Sequence, residues 1–123
     1  MLPVTVTRST WYRGKDAMMS RLLRFDGQMC CLGFACLQAG ILPAEMLNVS
    51  YPSAIQPSSV PFPESLHGLV RTVGTGPEQH THSSNICRAI SEINDRVAIG
   101  TIEREFLLKR LGEEADIAFT FVD

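Results

Sequence analysis

The sequence predicts a small α+β domain, because strand-like segments at both ends enclose segments with helical periodicity. Apolar and polar residues alternate over residues 2–8 and again over 117–122, as they do in strands with one buried face. Apolar residues recur every three or four positions over 85–97, which is typical of an amphipathic helix. We therefore expect one domain over residues 1–123, with a small, mostly antiparallel sheet and three to four helices.

The first half of the chain contains two further predicted helices. Asp16 can cap a short helix that ends at Leu23, and Asp26-Gly27 predicts a tight turn after it. Residues 31–39 are almost all apolar, which predicts a helix buried in the core. Gly40 is expected to end this helix.

The second half contains a loop, a strand and a last helix. Residues 48–63 hold four of the seven prolines, which predicts a long Pro-rich loop. Residues 69–73 predict a short strand, and residues 101–111 predict a helix that Gly112 ends. We expect the loop to pack on the domain through its apolar residues Tyr51, Ile55, Val60 and Phe62.

Composition and charge exclude several classes of protein. Apolar residues form 45% of the 123, too many for a disordered chain, and the net charge of −2 gives no field that would attract nucleic acid. No apolar stretch approaches the ~20 residues of a membrane-spanning helix, and the first residues lack a signal-peptide pattern. We therefore expect a cytoplasmic protein that contacts neither nucleic acid nor membrane.

The charge is nevertheless distributed unevenly. Residues 1–27 contain five cationic and two acidic side chains, whereas residues 88–123 contain five cationic and eight acidic ones. This asymmetry favours self-association, or an anion site on the basic half.

The cysteines suggest one candidate catalytic site. Adjacent Cys30 and Cys31 rarely reach disulfide geometry, so we expect all four cysteines to be reduced. Both stand where a predicted strand enters a helix, and a helix N-terminus lowers the pKa of a thiol. A cysteine hydrolase would use Cys30 or Cys31 as nucleophile and His80 or His82 as base. The alternative is that both thiols are small core residues.

A metal or a cofactor is not expected. His80, His82 and Cys87 have ligand chemistry, but the sequence lacks the C-x2-C pair that is typical of closed zinc sites.

A binding site for an anionic ligand is the candidate we favour. Aromatic rings and guanidinium groups, the side chains that hold nucleobases and phosphates, cluster near the N-terminus at Trp11, Tyr12, Arg13, Arg21 and Arg24. A Gly-Thr-Gly turn at 74–76 precedes polar residues that we expect to close the site, namely His80, Thr81, His82 and Ser83.

Several strings resemble a group of short bacteriophage-encoded proteins, mostly of unassigned function. They are Arg13-Gly14, Leu22-Leu23-Arg24, Asp26-Gly27, Met29-Cys30-Cys31-Leu32-Gly33-Phe34 and Ile93-Asn94-Asp95. The resemblance implies a counter-defence role, with a homo-oligomeric "sponge" that sequesters a host cyclic nucleotide or related immune signal without catalysis. Two alternatives stay open. The first is a cysteine hydrolase of the papain or NlpC type, because Cys30-Cys31-Leu32-Gly33 resembles the nucleophile segment of those enzymes. The second is a protein inhibitor of a host enzyme.

Overall fold

Helices and strands of mixed length occur in one small domain, which is consistent with the α+β class. The computed structural model describes residues 1–15, 20–55, 62–74, 76 and 80–123. Within these residues the order is β1 (Leu2–Thr7), α1 (Cys31–Gln38), α2 (Pro43–Met46), β2 (Val70–Val73), β3 (His80–Ser83), α3 (Asn85–Asp95), α4 (Thr101–Glu114) and β4 (Ile117–Val122). Short 3-10 turns occupy Arg8–Thr10, Pro52–Ala54 and Glu64–Leu69. None of the described helices has the length and apolarity to cross a bilayer.

The first and last strands of the chain pair in parallel. β1 lies beside β4 in the register Val4↔Phe119 and Val6↔Phe121, and the alternate side chains of both strands are buried. Two neighbouring parallel strands need a long crossover, and here nearly the whole chain lies between them. β2 and β3 form a separate antiparallel pair. The expectation of a mostly antiparallel sheet is therefore corrected to one parallel and one antiparallel pair.

Helix α1 forms the centre of the core, as its composition predicts. Residues 31–36 are all buried, and no described position of the helix is charged. Gly33 packs directly on the backbone of Leu22, because a Cβ there would overlap the Leu22 carbonyl oxygen. The helix ends at Gln38, and the chain turns away two residues later at Gly40, whose φ of 102° is left-handed and suits glycine.

Helices α3 and α4 lie beside each other, and α4 also packs against β4. Ser84 caps α3, since its Oγ accepts a hydrogen bond from the Cys87 N–H at 3.0 Å. The predicted end of the last helix at Gly112 is wrong, because α4 continues to Glu114. Gly112 instead allows close packing, and a Cβ there would lie 2.6 Å from the ring of Phe119.

The segment between β1 and α1 differs from its prediction. Residues 16–19 of the expected Asp16–Leu23 helix lie outside the described residues, and residues 20–23 are not helical. Leu23 instead makes a parallel bridge to Leu47. The predicted turn at Asp26-Gly27 is confirmed, since the Gly27 N–H donates to the Arg24 carbonyl at 3.0 Å with a left-handed φ of 86°.

The Pro-rich segment packs on the domain where it is described. Tyr51, Ile55 and Phe62 are partly buried against the core, as predicted from their apolar character. Val60 lies outside the described residues.

Candidate functional site

One buried side chain, that of Asn94, joins three segments that lie far apart in the sequence. Asn94 Oδ1 accepts hydrogen bonds from Trp11 Nε1 at 2.8 Å and from the backbone N–H of Cys31 at 3.1 Å. Asn94 Nδ2 donates to the Tyr12 carbonyl at 3.1 Å. Asn94 therefore connects the Trp-Tyr segment, the start of α1 and the end of α3.

The same amide continues into a small polar cluster. Asn94 Nδ2 also approaches Ser20 Oγ at 3.2 Å and Asp95 Oδ1 at 3.0 Å, and Ser20 Oγ donates to Asp95 Oδ1. All three side chains are buried. No buried side-chain nitrogen or oxygen of the described residues lacks a hydrogen-bond partner, so this cluster is internally satisfied.

Arg104 stabilises the end of α3 from the neighbouring helix. Its Nε donates to the Ile93 carbonyl at 3.2 Å, and its Nη2 donates to the Arg96 carbonyl. A guanidinium at these carbonyls complements the negative end of the helix dipole. Burial lowers the pKa of Arg104, and the nearby charge of Arg13 lowers it further. Gly14 has no side chain to collide with this group, because a Cβ there would lie 2.8 Å from Arg104 Cζ.

Trp11 and Arg104 also line a cavity of about 390 Å³, which we call the Trp11 pocket. Residues from the N-terminal segment and from the start of α4 line it: Arg8, Ser9, Trp11, Arg13, Lys15, Gln28, Thr101 and Arg104. Four of these eight side chains are cationic, and no lining side chain is a carboxylate. The pocket is therefore suited to an anion.

The cations of the pocket are not equally available to bind an anionic ligand. Arg8 donates to both carboxylate oxygens of Glu105, at 2.9 and 2.8 Å, and to Asp123 at 2.9 Å. These hydrogen bonds lower the pKa of Glu105 and raise that of Arg8. The charge of Arg8 is thus already neutralised within the fold.

Arg13, Lys15 and Arg104 differ in this respect. Among the described residues, none of the three forms a salt bridge with a carboxylate. Arg13 donates only to the backbone carbonyls of Arg8 and Trp11, at 3.2 and 3.3 Å. Partial burial lowers the pKa of Arg13; the Glu105 carboxylate acts against this shift, and the Arg8 charge adds to it. An anion in the pocket would relieve this repulsion.

The two aromatic residues predicted to stack on a ligand are themselves covered. Trp11 is 2% exposed, contacts Phe121 at a centroid distance of 4.8 Å and has the Arg13 guanidinium 4.3 Å from its ring centroid. Tyr12 is 5% exposed, with the Arg24 guanidinium 3.9 Å from its ring centroid. Their rings position cations and do not offer a bare stacking face.

The remaining predicted cations bind parts of their own segment. Arg21 Nη1 donates to the Ser20 carbonyl at 2.9 Å, and Arg24 Nε pairs with Asp26 at 3.4 Å. The described lining of the Trp11 pocket includes neither of them. Of the residues we predicted to bind a ligand, Trp11 and Arg13 line this pocket.

The second group of predicted ligand residues lies on strand β3. Thr81 Oγ1 donates to the Ser53 carbonyl at 3.3 Å, and the hydroxyls of Ser83 and Ser53 are 2.9 Å apart. The backbones of His80 and His82 pair with Val73 and Arg71 of β2. None of these β3 residues belongs to the described lining of the Trp11 pocket, and their predicted closure of a ligand site stays a prediction.

The four cysteines are free and buried. Desolvation raises the pKa of Cys30 to about 12 and that of Cys87 to about 11. It also raises the pKa values of Cys31 and Cys36 well above the ordinary value. The dipole of α1 does not offset this burial, so these thiols stay protonated at neutral pH and present no thiolate nucleophile.

A second cavity, of about 510 Å³, has a different chemistry. It is lined by Glu64, Ser65, His67, Gly68 and Asp116. Its ionisable side chains are therefore two carboxylates and one imidazole, whereas those of the Trp11 pocket are all cations. In the part of the chain that the structure describes, no group of three potential ligands is placed to hold a metal ion. The Trp11 pocket is the stronger candidate site, because its charges have one sign.

Sequence reasoning missed Arg8, Lys15 and Arg104 as pocket residues and Asn94 as their support. Arg8 and Lys15 contribute to the basic excess of residues 1–27, but charge alone does not show which cations converge. Arg104 shares the core-facing side of α4 with Leu108, four residues later, and this spacing was the available signal.

No protein-family model, no curated protein and no solved structure matches this chain. The geometry that bears on function is therefore that of the Trp11 pocket: three cations without a carboxylate partner among the described residues, held over a buried polar cluster.

Proposed function

We propose that this protein is a non-catalytic binding protein whose Trp11 pocket holds the phosphate group of a small ligand, and that the ligand is a nucleotide. The observation that carries the proposal is the convergence of Arg13, Lys15 and Arg104 around one cavity with no lining carboxylate. Charge-assisted hydrogen bonds from guanidinium groups to phosphate oxygens are among the strongest in proteins.

Two further features of the pocket suit a phosphate. Thr101, the first residue of the 14-residue helix α4, lines the pocket, and the positive end of a helix dipole favours an anion. Arg104 is held by the carbonyls of Ile93 and Arg96, so its guanidinium needs little ordering when a ligand binds. A preorganised cation costs less conformational entropy on binding than a mobile one.

The rest of the ligand would extend from the pocket mouth. Gln28 provides an amide there that can donate to, or accept from, a sugar or a base. The choice of a nucleotide as the ligand, and the role of sequestering it, rest on the resemblance to bacteriophage proteins. In that role the chain would capture a host immune signal. Buried, protonated thiols agree with capture without turnover and give the cysteine hydrolase no support.

A thermal-shift titration tests this proposal. The probes are inorganic phosphate, linear mononucleotides, 3′,5′-cyclic mononucleotides and cyclic dinucleotides, each compared at equal ionic strength. A ligand that binds only the folded chain raises the melting temperature by mass action, by several degrees at about one hundred times its Kd. We expect one nucleotide class to raise it and to be recovered intact.

Variants then locate the site. Arg13→Gln should reduce the affinity for the active nucleotide about tenfold or more, because it removes a charge-assisted contact. Arg88→Gln on the exposed side of α3 makes the same chemical change away from the pocket and should leave the affinity unchanged. Equal effects of the two variants, or no shift with any probe, would contradict the proposal.

A further inference from the structure

Helix α4 presents two large apolar side chains on its outer face. Ile102 is 88% exposed and Phe106 is 57% exposed. They are four residues apart and therefore lie one turn apart on the same side of the helix. The opposite side of α4 faces the core through Leu108 and Gly112, which are buried. Single exposed apolar residues are ordinary on protein surfaces, whereas adjacent ones form an apolar patch that can bind another protein surface.

Charged residues of opposite sign flank this pair. Glu103 lies in the first turn of α4, whereas Lys109 and Arg110 lie one turn beyond Phe106, and all three are exposed. If two α4 helices pack antiparallel about a two-fold axis at Phe106, Glu103 of one copy lies opposite Lys109 of the other. In the same arrangement Ile102 lies opposite the aliphatic stem of Arg110. A parallel arrangement would place like charges together.

We propose that this outer face of α4 binds a second copy of the chain, in an antiparallel two-fold dimer centred on Phe106. A two-fold interface must be self-complementary. This face has an acidic end at Glu103, an apolar middle at Ile102 and Phe106, and a basic end at Lys109 and Arg110. When a second copy is reversed, acidic end meets basic end and the apolar side chains meet in the middle. The pocket residues Thr101 and Arg104 are not among the side chains that pair, so the dimer does not depend on the proposed nucleotide site.

The first test is native mass by sedimentation equilibrium over a wide range of protein concentration. We expect dimers that dissociate on dilution, and Phe106→Glu should be monomeric at every concentration with an unchanged circular dichroism spectrum. A wild-type monomer at all concentrations overturns the proposal. So does a dimer that Phe106→Glu leaves intact, because another surface would then be responsible.

A charge exchange tests the antiparallel register. Glu103→Lys alone and Lys109→Glu alone should each weaken the dimer, because each places like charges opposite one another. The double variant should dimerise again, and the two single variants mixed together should form a heterodimer. Glu114→Lys makes the same charge change outside the paired set and serves as control. Loss of dimer in the double variant, or no heterodimer from the mixture, would overturn the register.

Discussion

The region around Asn94 and the β2–β3 hairpin use similar polar side chains in opposite ways. Around Asn94, a single buried amide binds Trp11, Tyr12 and Cys31, and Trp11 in turn lines the Trp11 pocket. In the hairpin, Thr81 is exposed and its hydroxyl makes a single hydrogen bond, at 3.3 Å, to the neighbouring turn. Removing a polar group from the first region leaves buried donors without acceptors, whereas water replaces it in the second.

The comparison teaches that residue type alone does not decide the role of a polar side chain. An amide on the surface of a helix would bind water, whereas the buried Asn94 side chain forms hydrogen bonds that connect three segments. The same burial converts Cys30 and Cys31 from candidate nucleophiles into core residues. Three experiments measure how far the two regions differ, beginning with the largest effect.

The buried region should make the fold strongly sensitive to alkaline pH. The folded-state pKa of each cysteine thiol is raised above its ordinary value of 9.0, so the unfolded chain loses protons first. This contribution to stability is complete below pH 9 and is lost as pH rises above it. Each thiol then lowers the free energy of unfolding by about 1.4 kcal/mol per pH unit, and all four together by about 5.5 kcal/mol per pH unit.

Urea unfolding at pH 8, 9, 10 and 10.5 measures this slope. Cys36→Ala should reduce the slope by about 1.4 kcal/mol per pH unit, because it removes one buried thiol without removing the others. A stability that stays constant between pH 8 and pH 10.5 would show that the thiols are accessible in the folded chain.

Asn94→Ala should destabilise the fold by about 3 kcal/mol or more, since Trp11 Nε1 and the Cys31 N–H lose their buried acceptor. Thr81→Ala in the hairpin should change the free energy of unfolding by less than about 0.5 kcal/mol. Urea unfolding of both variants at pH 7 makes the comparison. Similar costs for the two would mean that the Asn94 cluster is no more important to stability than a surface hydroxyl.

The smallest effect concerns reactivity, because the native thiols should hardly react. Labelling with iodoacetamide at pH 7.5, followed by mass spectrometry, should be at least about a hundredfold slower in the folded chain than in urea for each of the four cysteines. Wild-type protein in urea is the control for intrinsic reactivity. Rapid native labelling of Cys30 or Cys31 would restore the cysteine hydrolase as a candidate.

Local patterns predicted the local elements well. The apolar run of residues 31–39 identified α1, and the Asp26-Gly27 dipeptide identified its turn, because both depend on residues close in the sequence. The β1–β4 pairing was not predictable in the same way, since it joins residues more than 100 positions apart. The helix expected to end at Leu23 was assigned by capping and periodicity, whereas the described residues 20–23 are not helical and Leu23 bridges to Leu47.

The candidate site divides along the same line. The sequence by itself determined a cation-rich N-terminal segment, an apolar helix containing cysteines and the amphipathic helix α3. Only the tertiary structure decided that Arg104 of α4 joins Arg13 and Lys15 at one cavity while Arg21, Arg24 and the β3 residues do not. The physical reason is that charge and periodicity depend on neighbours in the chain, whereas a site depends on which distant side chains burial brings together.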